Sequence, residues 1–481
     1  MNLEKLFKPK SMCVVGVSKK NPLSPGRIIL LKNEYEYDVK VYGIHPQGGQ
    51  IEGVDLYKNL NELPETPDIL TIAVGPDDTI QYVKECADFG IPAGIIIGGG
   101  FAEIGGKGKK RQEILEKIAF DNDIAILGPN CIGVYSPPLL DTIFMPTERI
   151  TRPPRGSVAL ISQSGGVLVD QFFVKFAERN IGVSTAVSIG NRAVIDETML
   201  LEYFSKIDPG TTNIAFYLEG FKDGKARQFL QYAKESEDTI IVYFGGLTKA
   251  GKVATLSHTA SLGGDSKILT SAFKQNYIIH PHSERELLTY LKVYDVLGGR
   301  KKPFGENVIV FGNVAILSVS GGHGVLCSDM LKKYGLTPIK FSEQEKEEMY
   351  NMLNPVAREI ASFNNPIDLT GSVLDSDIVN IMSYLSDFEK IECIILLLLP
   401  YPPNISFQIG RRIAHVITSK RKPVVTFLPY VGKYSLIIES LEIANVPVFH
   451  SIKEAVQAVS ALKLRTRINN LKKDNLFWED K

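Results

Sequence analysis

The 481-residue sequence has no CxxC pair, no GxxxxGK[ST] loop, no complete GxGxxG fingerprint and no excess of either charge. Its five cysteines (Cys13, Cys86, Cys131, Cys327, Cys393) are odd in number and widely spaced. That excludes a disulfide framework and a cysteine zinc site, and it points to a reducing, cytoplasmic setting. The longest apolar run, Ile394–Leu399, is far shorter than the ~20 residues of a membrane helix. The segment MNLEKLFKPK has no apolar h-region, so neither a signal peptide nor a membrane association is expected. Lys+Arg and Asp+Glu are 54 each, which leaves no broad field for nucleic acid. An anionic ligand must therefore be held locally.

Short apolar strands alternate with helical patterns along most of the chain. Met12–Gly16, Lys40–Ile44, Ile69–Val74 and Gly94–Ile97 read as strands, with a helix over Asp77–Phe89. This rhythm predicts an α/β protein of parallel sheets covered by helices. Boundaries are expected near 150, at the Pro- and Arg-rich segment 146–156, and near 297–307, giving domains over 1–150, 151–300 and 307–465. A charged tail, 466–481, completes the chain.

The sequence also repeats itself. VALISQSGG (158–166) matches VAILSVSGG (314–322), and three further landmarks recur in the same order. They are 213–220 with 392–400, 239–246 with 423–430, and 277–287 with 446–455. The second and third domains thus read as two copies of one doubly wound unit. Between the last two landmarks the first copy has 30 residues (247–276) and the second 15 (431–445). The extra length is rich in Gly, Ser and Thr and carries His258, so it reads as a working loop.

Three features suggest chemistry. Gly16, Val17 and Ser18 close the first strand before a helix, a nucleotide-type turn lacking the further glycines and the acidic residue of an NAD site. Ser162, Ser164, Gly165 and Gly166 start a helix whose free N–H groups and dipole suit phosphate. Ser320, Gly321 and Gly322 form the duplicate turn, with either a second anion or plain turn closure as its purpose. His258, among small mobile residues, suits a phosphoryl acceptor, and Glu219 at a strand end suits the carboxylate orienting its ring. His280 and His282 make weak metal spacing, and no metal is expected there.

Taken together, VVGVS (14–18), GFAEIGGKG (100–108), GPNCIG (128–133), ISQSGG (161–166), SIGN (188–191) with Asp196, YLEGFKDG (217–224), SHTASLGG (257–264), SGGHGVL (320–326) and NPIDLTG (365–371) resemble the α subunit of the NDP-forming acyl-CoA synthetases, within the succinyl-CoA synthetase superfamily. The resemblance implies an N-terminal Rossmann-like CoA-binding domain and two flavodoxin-like ligase domains. It implies the reversible reaction acyl-CoA + ADP + phosphate = acid + CoA + ATP, through an acyl phosphate and a phosphohistidine at His258 supported by Glu219. CoA is expected at Gly16, Val17, Ser18, Lys40, Pro46, Val74, Ile97, Gly98 and Asn130, and the acyl group at Val169 and Asp170. The family's ATP-grasp domain finds no room here. A separate β subunit is therefore expected to hold ADP/ATP and Mg²⁺, in an α2β2 assembly.

The pattern departs from the family where KxGRTxAG becomes FGGLTKAG, with Phe244 and Leu247 at the cationic positions. That loss suits an alternative, a CoA-binding regulator without catalysis, whereas the presence of both His258 and Glu219 speaks against it.

Overall fold

The computed structural model describes residues 1–251, 266–298 and 308–479, with side chains to Asp474. His258 lies outside the described residues. Two compact units are present, Met1–His282 and Ser283–Lys481.

The first unit holds two sheets. In the first, β1 (Ser11–Val15), β2 (Lys40–Ile44), β3 (Gly49–Ile51), β4 (Val54–Tyr57), β5 (Ile69–Ile72), β6 (Ala93–Ile96) and β7 (Ala125–Leu127) lie in the order β3-β4-β2-β1-β5-β6-β7. All neighbours are parallel except β3 and β4. Strands β1, β5, β6 and β7 are buried at every residue. Helices cover both faces of such a sheet, which is why these strands read as unbroken apolar runs.

The second sheet comprises β8 (Val134–Ser136), β9 (Leu140–Asp141), β10 (Arg155–Ser162), β11 (Val183–Ser188), β12 (Asn213–Leu218) and β13 (Thr239–Phe244), ordered β13-β12-β10-β11-β8-β9. Strands β8 and β9 precede the boundary expected near 150, yet they pair into this second sheet, β8 running antiparallel to β11. The Pro/Arg-rich connection that follows is pinned rather than loose. Arg152 Nη2 and Lys32 Nζ meet Asp141 Oδ2 at 2.9 and 3.1 Å, all three side chains being buried.

The second unit holds β14 (Asn313–Ser318), β15 (Thr337–Pro338), β16 (Ile367–Asp368), β17 (Cys393–Leu397), β18 (Val424–Phe427) and β19 (Val448–Phe449). The main path is β15-β14-β17-β18-β19, and β16 pairs with β14. The duplication is now visible as topology. Counted within each copy, β11-β10-β12-β13 and β15-β14-β17-β18 share one order, 2-1-3-4. In the first copy a parallel bridge, Ile241 to Ile279, stands where β19 completes the fifth strand of the second. This 2-1-3-4-5 order is the flavodoxin-like winding.

The expected second domain ran to 300, but the helix Glu284–Leu297 belongs to the second unit. Within that unit it meets Ile452–Glu479, its counterpart in the other copy. Tyr294 Oη donates to Ala461 O at 2.8 Å, and Arg285 Nε to Glu454 Oε1 at 2.7 Å. The helix is apolar around most of its circumference, as a helix buried between partners must be. The expected tail, 466–481, continues this same terminal helix as far as Glu479.

Candidate functional site

In doubly wound sheets ligands lie beyond the carboxyl ends of the strands, where the winding reverses. In the first sheet that edge collects Gly16–Ser18 after β1, Pro46 after β2, Val74 after β5, and Ile97 and Gly98 after β6. Gly16 has φ +90°, and a Cβ there would lie 2.2 Å from Ala73 O, so only glycine fits this turn. Asn130 joins the same edge, its N–H donating to Gly98 O at 3.0 Å.

Lys40 does not join them. It is the first residue of β2, paired in register with Ser11, at the amino end of the sheet. Four residues of strand rise separate it from Ile44, roughly 13 Å. Its ammonium pairs with Glu65 at 3.0 Å and lies over the Tyr42 ring. Lys19 was not foreseen. Its Nζ donates to Gly48 O, which brings a cation to the carboxyl edge beside His45. Burial and the Lys19 charge hold the His45 pKa below its ordinary value.

Asn191 of the SIGN segment stitches this edge to the second sheet. Its side chain donates to Glu103 Oε2 and accepts from Asn130 Nδ2, and its backbone N–H donates to Pro129 O at 2.9 Å. Ala193 N–H and Ile195 N–H continue the ladder to Gly128 O and Ile126 O.

At the carboxyl end of β10 the Ser162–Gly166 turn opens a helical segment, 165–178, whose Val167–Phe173 portion is π-helical. Ser162 Oγ donates to Ser164 O at 2.7 Å, and Ser164 Oγ accepts from Val167 N–H at 3.4 Å. Gly165 lies against the GPNCIG loop, where a Cβ would stand 2.4 Å from Ile132 Cγ1. Of the two acyl-pocket candidates, Val169 points into the core with 1% exposure, whereas Asp170 is exposed. Val169 lies in the π-helical portion, and its side chain does not face solvent.

Glu219 follows β12 one strand away and is tied to that turn. Its N–H donates to Gln163 Oε1 at 2.8 Å, while Tyr217 Oη donates to Glu219 Oε1 at 3.2 Å. Burial, then the Glu219 charge, push the Tyr217 hydroxyl pKa well above the usual tyrosine range. Phe172 of the π-helical segment meets the Tyr217 ring edge-on, centroids 6.0 Å apart. Arg192 Nη1 reaches Gly220 O at 2.8 Å and Glu197 Oε2 at 3.1 Å, fixing the residue after Glu219. Lys222 Nζ donates to Ala193 O, so this nearby cation is also committed. Gln163, Tyr217 and Arg192 were not singled out from the sequence, although Gln163 and Tyr217 sit inside quoted motifs.

In the second unit the Ser320–Gly322 turn repeats the first. Ser318 Oγ donates to Ser320 O at 2.7 Å, as Ser162 does to Ser164 O. His323 Nδ1 lies 3.0 Å from Ser320 Oγ, and its ring stacks on Phe427. His280 Nδ1–H donates to the Val242 carbonyl, a structural use. Among the described residues no group of three or more His, Cys, Asp and Glu is placed to hold a metal, and no helix is long and apolar enough to cross a membrane.

A family model described as a CoA binding domain matches residues 10–137, and one described as a succinyl-CoA ligase like flavodoxin domain matches 155–294. The acetate–CoA ligase [ADP-forming] I subunit alpha of Pyrococcus furiosus is 33% identical, over 96% of this chain and 97% of that protein. The chain belongs to the ADP-forming acetate–CoA ligase family. The ADP-forming acetate–CoA ligase of Methanocaldococcus jannaschii is 32% identical over 76% of this chain but only 48% of its own length. Acetyl-coenzyme A synthetase 1 of Candidatus Korarchaeum cryptofilum, solved with phosphate and ADP, has a TM-score of 0.87 at 29% identity, each chain 99% covered. Within this ligase family the departure at Phe244 now has a setting. Its ring is buried among Phe221, Phe273 and their neighbours, centroids 6.0 and 6.3 Å away, where a lysine would be an uncompensated charge.

Proposed function

We propose that this chain is the α subunit of an ADP-forming acyl-CoA synthetase that interconverts acyl-CoA, ADP and phosphate with a carboxylic acid, CoA and ATP. The observation that carries the reading is the bond from Glu219 N–H to Gln163 Oε1, which joins the orienting carboxylate to the phosphate turn. The thioester is held at the carboxyl edge of the first sheet by Gly16–Ser18, Pro46, Val74, Ile97, Gly98 and Asn130, with Lys19 supplying positive charge. Lys40 takes no part.

A phosphate oxygen attacks the thioester carbonyl carbon, the C–S bond breaks, and the departing CoA sulfur takes up the proton that the phosphate loses, so CoA leaves as its thiol. The N–H groups at Ser164–Gly166 receive the phosphoryl oxygens. The His258 imidazole then takes the phosphorus, the P–O bond to the acyl group breaks, and the acid leaves as carboxylate. Glu219 accepts the N–H of the other ring nitrogen and stabilises the charged imidazole. Asp170 stands at the helix start nearest the acyl group. The turn at Ser320–Gly322 closes through the same serine bond and is assigned no phosphoryl group.

ADP/ATP and Mg²⁺ are assigned to a separate ATP-grasp β subunit in an α2β2 assembly. The chain matches nearly all of a relative whose name gives it as an α subunit, but only about half the length of a relative whose name gives no subunit, and this supports the division.

The test is labelling with radioactive phosphate and a panel of acyl-CoAs, with the β subunit supplied for turnover. An acid-labile, base-stable phosphoprotein is expected, absent in His258→Asn and reduced about 10³–10⁴-fold in rate in Glu219→Gln. Turnover without a phosphoprotein would refute the shuttle.

A further inference from the structure

The two flavodoxin-like copies provide an internal control for what the scaffold requires. Strand register aligns them residue by residue: Ser162 pairs with Tyr217 in the first copy and Ser318 with Leu397 in the second. Gln163 therefore corresponds to Val319, Tyr217 to Leu397 and Glu219 to Leu399. Both copies retain the serine bond within the turn at 2.7 Å. Both also retain the following N–H bond across to the neighbouring strand, Gln163 to Tyr217 O at 3.0 Å and Val319 to Leu397 O at 3.4 Å. The fold thus closes equally well with three buried apolar side chains at these positions. The polar trio Gln163, Tyr217 and Glu219 appears only in the copy that carries the extra loop, so its purpose is chemical.

Tyr217 Oη donates to Glu219 Oε1. Gln163 is only half satisfied. The residue is 9% exposed, and its Oε1 accepts from Glu219 N–H. An N–H donor requires the oxygen on that side, which fixes the amide and turns Nε2 away. Nε2 has no acceptor among the described residues, yet it is not one of the side-chain atoms sealed from solvent without a partner. A nearly buried amide with two idle donors, between the N–H groups of a helix start and the glutamate, suits an anionic oxygen.

We propose that Gln163 Nε2 donates to an oxygen of the phosphoryl group while phosphate adds to the thioester and passes to His258. A neutral donor fits a site whose family cations are replaced by Phe244 and Leu247. This inference rests on the shuttle proposed above and adds a further residue in contact with the reacting group.

The test is phosphate-dependent labelling of the full chain by acyl-CoA, measured in wild type, Gln163→Glu and Gln163→Met. Gln163→Glu keeps the acceptor for Glu219 N–H but presents negative charge in place of the donors. The KM for phosphate should rise about ten- to a hundredfold, the loss of one hydrogen bond to a charged group. The KM for acyl-CoA should stay within about twofold, because the CoA edge is untouched. Gln163→Met, neutral and similar in size, should raise the phosphate KM in the same direction, and it decides the matter if Gln163→Glu does not fold. Wild-type phosphate KM in the folded variants, or equal changes in both KM values, would overturn the inference. If wild type labels and Glu219→Gln does not, such a result removes only Gln163 from the site. If wild type itself fails to label, the shuttle falls and this inference with it.

Discussion

Gly165→Ala tests how tightly the phosphate turn is set against its neighbour. An ideal Cβ at Gly165 would lie 2.4 Å from Ile132 Cγ1, 2.5 Å from Cδ1 and 3.3 Å from Cβ. Comfortable carbon contacts are about 3.5–4.0 Å, so the two groups must separate by roughly 1.1–1.6 Å. Ile132 cannot simply retreat, since its N–H is held by Ser188 Oγ at 3.1 Å. Overpacking of this kind costs about 1–3 kcal/mol. The alanine recovers about 0.5–1 kcal/mol through its lower chain entropy, leaving a net loss of about 0.5–2 kcal/mol. The functional effect should be larger. If the turn takes up the displacement, its donors move by about 1 Å, enough to slow a positioned reaction about a hundredfold. Chemical denaturation measures the first effect, and kcat/KM for phosphate in the labelling reaction measures the second. Ile132→Ala removes the two nearest atoms, so the double variant should recover most of the kcat/KM lost by Gly165→Ala. Gly165→Ala with wild-type stability and kcat/KM for phosphate, or a double variant as impaired as the single, would refute the packing argument.

Two further outcomes contrast a buried charge cluster with an exposed pair. Asp141→Asn leaves Lys32 and Arg152 buried without their shared anion, at side-chain exposures of 3% and 9%. It should destabilise the first unit by about 3–5 kcal/mol. Lys206→Met, which breaks an exposed pair with Glu202, should change stability by less than about 1 kcal/mol by the same denaturation assay. At the family's cationic positions, Leu247→Arg, on a half-buried residue, should lower the phosphate KM about tenfold, the gain of roughly 1.4 kcal/mol from one charge-assisted bond. Phe244→Lys puts a charge in the ring cluster and should unfold the unit before it helps, losing at least about 3 kcal/mol. A well-folded Phe244→Lys with improved phosphate affinity would contradict the assignment of that cluster to the core.

The sheets were legible because parallel strands buried on both faces read as short apolar runs. Lys40–Ile44 was located to the residue, and the helix over Asp77–Phe89 within one residue of Pro76–Phe89. Strands β8 and β9 were not, since pieces of three and two residues carry no period. The allegiance of Glu284–Leu297 was equally hidden. Periodicity reports that a helix is buried, not which surface buries it. Val169 was named from the family resemblance, which does not report that its side chain is buried. Lys40 is different: the rule that ligands gather at carboxyl ends already excludes the first residue of a parallel strand, and applying it would have removed this residue.

The duplication explains why the working residues were only partly readable. A single copy gives no way to separate glycines and serines that close a turn from those that hold a ligand, because both uses need the same backbone. Two copies in one chain make that separation. What they share, Ser162 with Ser318 and the following strand bond, is architecture. What only the first possesses is an additional 15 residues of loop and the polar set Gln163, Tyr217 and Glu219. Loop length is visible in the sequence, and it pointed to His258. The pairing of Gln163 with Val319 already stands in the two repeated motifs, and strand register extends it to Tyr217 with Leu397 and Glu219 with Leu399 through the ladders Ser162–Tyr217 and Ser318–Leu397. A Val319→Gln, Leu399→Glu double variant would bury an unpaired carboxylate in the second copy and should destabilise that unit by several kcal/mol, about the cost of an isolated buried charge. The same two side chains are tolerated in the first copy, where Glu219 is half-buried rather than sealed. A second copy that accepted them without loss would mean that the polar set is neutral decoration rather than chemistry retained against a cost in stability.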